Sequence, residues 1–269
     1  MPRFAANLSW LFTELPFLDR FDAAAEAGFR AVEFLFPYEH APEALAKRRE
    51  ANGLEVVLFN LWPGDWAAGE RGFGALPGRE AAFRASLERA LPYLEALRCP
   101  RVHALAGVPP ADSDLAACRQ VFARNLSVAA EACAPLGASV TIEPINPADI
   151  PGYFLTRQDQ AVAILDEVGA ANTALQMDLY HCRKVEGDPA AQIARHHERI
   201  GHVQIADPPG RHEPGRGELD FPPLFELLDR LGYAGWIGCE YRPSRDSWSS
   251  LAWAEAYGIS GRRPAARAS

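Results

Sequence analysis

Eight short apolar runs alternating with longer stretches of helical periodicity, in a chain of 269 residues, predict a single-domain α/β protein closed as a (β/α)8 barrel of parallel strands. A second observation excludes the main competitor. An open doubly wound sheet would carry a Gly-x-Gly-x-x-Gly turn after its first strand, and none is present.

In order, Phe4 to Ser9 reads as the first strand and Phe17 to Ala27 as its helix, closed by Gly28 just past the last turn. Ala31 to Phe36 is the second strand, followed by a helix over Ala44 to Ala51 and an Asn52-Gly53 stop. Glu55 to Asn60 is the third. The segment Leu61 to Gly78 breaks the rhythm: rich in Gly, with Pro63, Pro77, Trp62 and Trp66, it reads as a long structured loop of the kind that serves function. A helix over Glu80 to Leu97, a fourth strand over Arg101 to Ala106 and a long helix over Asp114 to Leu136 follow. The fifth strand starts at Ser139, and its helix runs from Arg157 to Val168 with Thr156 as N-cap and Gly169 as stop. The sixth strand is Ala174 to Asp178, with a helix near Ala190 to His197; the seventh is Gly201 to Ala206, with a Pro/Gly-rich loop after it and a helix over Pro223 to Leu231. Trp236 to Glu240 is the eighth strand and Ser247 to Tyr257 the last helix. Residues 1–260 form the barrel, and the Ala/Arg/Pro-rich tail 261–269 is expected to be disordered.

Composition narrows the function classes. A net charge of -8 with no clustered basic surface argues against a nucleic-acid partner. Five cysteines form an odd set without a C-x-x-C pair, which disfavours a disulfide framework or zinc ribbon and fits a reducing cytoplasm. The chain enters strand-like sequence at once, without a signal-peptide core, and has no run of 18 uninterrupted apolar residues, so neither export nor membrane insertion is expected. A homo-oligomer is compatible with all of this.

Four strands end in an inward oxygen ligand. In Ser139-Val140-Thr141-Ile142-Glu143, Val140 and Ile142 share one parity and Thr141 and Glu143 the other. Asp178, Gln204 and Glu240 close later strands in the same way. Carboxylates converging on a barrel mouth repel one another, and a divalent cation removes that penalty. All-oxygen ligation from Glu143, Asp178, Gln204 and Glu240 suits Mg²⁺ or Mn²⁺ better than zinc. Such a cation acidifies the C–H between two substrate oxygens and stabilises an enediolate. Glu143 and Glu240, on opposed strands, are the natural acid/base pair.

Among supporting residues, His181 lies three positions beyond Asp178 and would reach a substrate from the following loop. Arg71 and Arg211, in Gly/Pro-rich loops, are the candidates for holding a substrate carboxylate. Glu70 and Trp66 share the loop with Arg71; Asn7, Phe36 and Asn60 end strands one to three and would line the same mouth. His202 reads as a packed, hydrogen-bonded barrel histidine, and His103 stays unassigned.

The motifs Ile142-Glu143-Pro144-Ile145-Asn146, Asp178-Leu179-Tyr180-His181, Gly201-His202-Val203-Gln204-Ile205-Ala206-Asp207, Glu213-Pro214-Gly215-x-Gly217-Glu218 and Gly238-Cys239-Glu240-Tyr241 resemble those of the hydroxypyruvate isomerase family, among the xylose isomerase-like TIM barrels. Gly64 to Gly72 is similar to that family's loop after strand three. The resemblance implies isomerisation of hydroxypyruvate to tartronate semialdehyde, a two-glutamate acid/base pair and a divalent metal on the four residues named. The 2-oxo-tetronate isomerases share nearly every motif, and ketose 3-epimerases share the acidic skeleton but usually place His where Gln204 stands. Also weighed are an endonuclease IV-like phosphodiesterase, which would want more His ligands and a basic groove, and a non-catalytic, metal-stabilised sugar-binding barrel.

Overall fold

A computed structural model describes residues 1–262. From residue 263 onward, the tail expected to be disordered lies outside the described residues. Eight parallel strands close on themselves in sequence order: β1 (Arg3–Asn7), β2 (Ala31–Glu33), β3 (Glu55–Asn60), β4 (Arg101–His103), β5 (Ser139–Ile142), β6 (Thr173–Asp178), β7 (Ile200–Ile205) and β8 (Trp236–Cys239). Around them lie α1 (Arg20–Glu26), α2 (Pro42–Ala51), α3 (Glu80–Leu97), α4 (Leu115–Cys133), α5 (Gln158–Val168), α6 (Leu179–Glu186), α7 (Pro189–His196) and α8 (Phe221–Arg230).

Alternation along each strand sorts the side chains into two environments. Val32, Val102, Val140, Ile142, Leu175, Met177, Val203, Ile205 and Ile237 face outward into the shell shared with the helices, which is the main core. Inside the barrel, Ala5, Ala31, Val57 and Trp236 form a separate small apolar plug. Beyond the plug the interior is polar: Asn7, Glu33, His103, Thr141, Gln176, His202 and Gln204 are all buried.

Burying those groups is tolerable only because nearly all of them are paired. Glu33 is the hub. Its Oε1 accepts from Asn7 Nδ2 at 3.0 Å and Gln204 Nε2 at 2.8 Å, and its Oε2 meets His202 Nε2 at 2.6 Å. The amide of Gln204 is thereby oriented, since a carboxylate only accepts. Its Oε1 in turn accepts from Gln176 Nε2 at 2.7 Å, and Gln176 Oε1 accepts from Thr141 Oγ1 at 2.9 Å. Gly238 makes room for the hub, because a methyl group at that position would overlap the Glu33 carboxylate.

Four local expectations need correction. Strands two and four stop at Glu33 and His103, short of Phe36 and Ala106. Helical structure begins immediately after β6, where Asp178 Oδ1 accepts from Tyr180 N–H at 2.8 Å and caps α6; α7 then covers the stretch expected as the only helix there. Arg157, not Thr156, precedes α5. Its start is capped from elsewhere, as Gln158 N–H donates to Glu186 Oε1 at 3.0 Å and Gln160 Oε1 reaches back to Thr156 N–H at 3.1 Å. The last helical segment, Ser249–Tyr257, is 3₁₀. The long loop after β3 is free of helix and strand up to Arg79, as expected.

Candidate active site

The strand ends bring Glu143, Asp178, Gln204 and Glu240 to one rim. Asp178 and Gln204 are register partners on β6 and β7, and Gln204 pairs with Gly238 on β8. In front of Glu143 and Glu240 opens a cavity of about 400 Å³ whose lining also includes His103, His181, Arg211 and Trp10 but not Asp178 or Gln204. Such a pocket, apolar with a few convergent polar groups, is the usual form of a small-molecule site.

Burial dominates the electrostatics. It pushes the Glu240 carboxyl up to about 8 and that of Asp178 up to about 6, with Arg211 opposing both. Glu143 is raised well above the usual carboxylate range by burial and then by its neighbours Glu240 and Asp178. Burial pulls the Arg211 guanidinium down, but Glu240, Asp178, Glu143 and Asp149 outweigh it and its net shift is upward. Arg211 Nη2 stands 3.4 Å from Asp178 Oδ2 and 3.3 Å from Glu240 Oε2, and Nη1 is 3.5 Å from Asp149 Oδ2. Its backbone is held in the left-handed region, φ 57°, a conformation that costs about 1–2 kcal/mol for a residue with a Cβ. The loop bearing it is braced by Asp207, whose Oδ2 accepts from the N–H groups of Gly215, Arg216 and Gly217 and whose Oδ1 accepts from Leu219 N–H.

Glu143, Asp178 and His181 each offer a ligand atom within 4.8 Å of the others, a group that could hold a metal ion. Among the described residues Glu143 Oε1 is buried without a hydrogen-bond partner, an orphan that a cation would satisfy. His181 is a different matter. Asn146 Oδ1 accepts from the N–H groups of Ala148 and Asp149, which fixes the amide so that Asn146 Nδ2 donates to His181 Nδ1 at 2.6 Å. With Nδ1 accepting, the neutral ring carries its proton on Nε2. That nitrogen, 3.6 Å from Asp178 Oδ2 and 3.8 Å from Glu143 Oε1, is a donor and not a ligand. Burial, with Arg211 next, holds the ring well below its ordinary pKa and hence neutral. Nor does His181 sit in a loop: it lies in the first turn of α6, 2% exposed.

The other expected contacts divide. Asn60, Phe36 and Trp66 line the cavity, and Trp66 is 43% exposed at its edge. Asn7 is turned to Glu33 instead. Glu70 pairs with Arg79 at 2.7 Å and accepts from Asp65 N–H, so it braces its own loop. Arg71 donates to the carbonyls of Trp66 and Glu70 and stacks on the Trp66 ring at 3.8 Å, outside the cavity lining. Glu33 carries the same sequence signal as Glu143, an acid of inward parity on a short apolar strand, and belongs with the inward acids. Trp10, whose indole N–H donates to Glu240 Oε1 at 3.2 Å, and Asn146 as a partner of His181 had no signal of spacing or type.

A parallel barrel with its buried carboxylates and cavity at the C-terminal ends of the strands has the layout of the barrel enzymes. Residues 21–257 match the family described as Xylose isomerase-like TIM barrel, and the chain belongs to that family. It is 58% identical over 257 residues to a protein of Cupriavidus necator named 2-oxo-tetronate isomerase, covering 96% of this chain and 99% of the relative. With the Escherichia coli K12 protein named hydroxypyruvate isomerase the identity is 43%, over 96% of this chain and all of the other. A crystal structure from Brucella melitensis named AP endonuclease, family 2, superposes with a TM-score of 0.94 at 48% identity, over 96% and 99% of the two chains.

Proposed function

We propose that the chain is an isomerase that interconverts hydroxypyruvate and tartronate semialdehyde by moving a proton between adjacent carbons. The observation that carries this reading is the pair Glu143 and Glu240, at the ends of β5 and β8, three strands apart around the barrel, and lining one cavity, both with carboxyls held above their ordinary range. A proton acceptor beside one carbon and a proton donor beside the next are what a two-carbon proton shift needs. One glutamate takes the proton from C3 of the 2-oxo acid, leaving an enediolate. Delivery of a proton to C2, with the C3 hydroxyl proton passing to the C2 oxygen, completes the aldehyde. The Nε2–H of His181 donates to a substrate oxygen as charge develops on it, and the walls of Trp66 and Phe36 keep water away.

Glu143, Asp178, Gln204 and Glu240 would hold the divalent cation, and their oxygen donors favour Mg²⁺ or Mn²⁺. When bound, such an ion supplies Lewis-acid polarisation worth several kcal/mol. A second reading, isomerisation of the four-carbon 2-oxo-tetronate, is favoured by the 58% identity to the Cupriavidus necator protein. Endonuclease activity, in the name of the Brucella melitensis structure, fits less well with a net charge of -8 and a mouth whose His181 is a donor. Five buried, unpaired cysteines support a reducing, cytoplasmic setting. Among the described residues, no helix is long and apolar enough to cross a membrane.

The deciding experiment is turnover of hydroxypyruvate and 2-oxo-tetronate side by side, with and without EDTA and in D₂O. Wild type should convert at least one and take up solvent deuterium, and Glu143→Gln and Glu240→Gln should each lose ~10²- to 10⁴-fold in kcat. Turnover undiminished in both variants would refute the assignment.

A further inference from the structure

A 2-oxo acid must bring its carboxylate into a cavity whose wall already contains Glu143, Asp149 and Glu240. The divalent cation that those acids would hold serves the oxygens on the reacting carbons, so the C1 carboxylate calls for a positive partner of its own. The two arginines that sequence reasoning offers are both committed elsewhere. Arg211 is shared among Asp149, Asp178 and Glu240, and Arg71 is stacked on Trp66 and bonded to loop carbonyls outside the lining.

Arg242 differs from both. It lines the cavity and is exposed, and its guanidinium makes no hydrogen bond or ion pair among the described residues. Its main chain is pinned on both sides. The N–H donates to Arg211 O at 2.7 Å, and the carbonyl meets His212 Nδ1 at 2.9 Å. The guanidinium carbon lies 6.0 Å from the ring of Trp10, the same indole whose N–H donates to Glu240. Arg242 also borders a neighbouring cavity of about 240 Å³ beside Trp10, which leaves its side chain room to swing toward an incoming anion.

Resting on the 2-oxo-acid reading above, we propose that Arg242 is the carboxylate subsite: it receives the C1 carboxylate through the planar guanidinium fork and so selects 2-oxo acids over neutral ketoses of the same length. The hydrated, unpaired side chain gives up only water when the substrate binds, whereas Arg211 would have to abandon buried acids to do the same. Because the C1 carboxylate is already fully charged in the ground state and the contact is the same before and during the C3-to-C2 proton shift, its loss raises KM and leaves kcat nearly unchanged.

The test is steady-state kinetics of Arg242→Gln and Arg242→Lys with hydroxypyruvate and 2-oxo-tetronate, alongside inhibition by their neutral counterparts, dihydroxyacetone and erythrulose. Arg242→Gln is expected to raise KM for the acids about tenfold or more, with kcat within about threefold and inhibition by the neutral ketoses unmoved. Arg242→Lys should recover part of the loss. An acid KM unmoved in Arg242→Gln overturns the subsite. So does a parallel weakening of acid and ketose binding, which would mark damage to the pocket and not a lost charge contact. Wild type that turns over neither acid overturns the function itself and the subsite with it; wild-type turnover with an unmoved variant KM overturns the subsite alone.

Discussion

Replacing Glu33 tests whether the barrel interior is held by one carboxylate. The side chain is fully buried and accepts from Asn7 Nδ2, Gln204 Nε2 and His202 Nε2. Glu33→Leu keeps the volume but leaves three buried donors without partners. At about 1–3 kcal/mol for each orphaned group, the loss is roughly 3–9 kcal/mol, a large part of the ~5–15 kcal/mol stability of a typical domain. Glu33→Gln should behave differently. Its amide oxygen can replace Oε1 toward Asn7 and Gln204. Its NH₂ would then face His202, whose Nδ1 has no partner, so the ring can carry its proton there and accept at Nε2. Only the charge assistance is lost, about 1–2 kcal/mol. Urea or guanidinium melts of the metal-free proteins measure both values from the shift in midpoint. A Glu33→Leu variant within 1 kcal/mol of wild type, or a Glu33→Gln variant as unstable as Glu33→Leu, would refute the hub.

Gly238→Ala presses a methyl against the same carboxylate and should cost ~1–3 kcal/mol by overpacking, less when combined with Glu33→Ala; additive costs in a double-mutant cycle would argue against the contact. Asn146→Asp turns a donor toward His181 into an acceptor, drawing the ring proton to Nδ1 and removing it from Nε2. We expect roughly a 10²-fold fall in kcat, with ¹⁵N resonances of labelled histidine reporting the tautomer change; an unaltered spectrum would contradict the argument. The acidic mouth also sets a pH dependence. Burial raises Glu240 to about 8 and Asp178 to about 6, so the metal-free folded chain keeps protons that the unfolded chain, with ordinary values of 4.5 and 3.8, has released. Protons bound preferentially by the folded state stabilise it at low pH, and that stability is lost as pH rises through the folded values. His103, pushed down to about 3 by burial, and His181, also lowered by burial, act oppositely, mostly below their ordinary 6.5. Between about pH 6.5 and 8 the Tm in EDTA should therefore fall, by up to about 2 kcal/mol of stability, and excess Mn²⁺ or Mg²⁺ should flatten the slope. A Tm in EDTA that is constant or rising over that window would count against the raised carboxyls.

The order of strands and helices was legible because each depends on neighbours a few residues away. Period-two alternation marks Val140 and Ile142 as outward and Glu143 as inward whatever the rest of the chain does. Closure into a barrel follows once eight such units are present. Local reading failed where a terminus was decided by one side chain, as at Asp178, whose cap starts α6 without any loop. It failed more deeply wherever the answer lay in contacts across the ring. Glu33 reaches His202 and Gln204 across 169 and 171 residues of sequence. Asn146 decides the tautomer of a histidine 35 residues away. Which arginine keeps its charge available depends on where three acids from different loops and strands end up. Residue types alone determined that carboxylates, amides and guanidiniums would gather at the mouth. Only the closed barrel decided how they pair, because hydrogen bonds and Coulomb forces act over a few ångströms of space and take no account of distance along the chain.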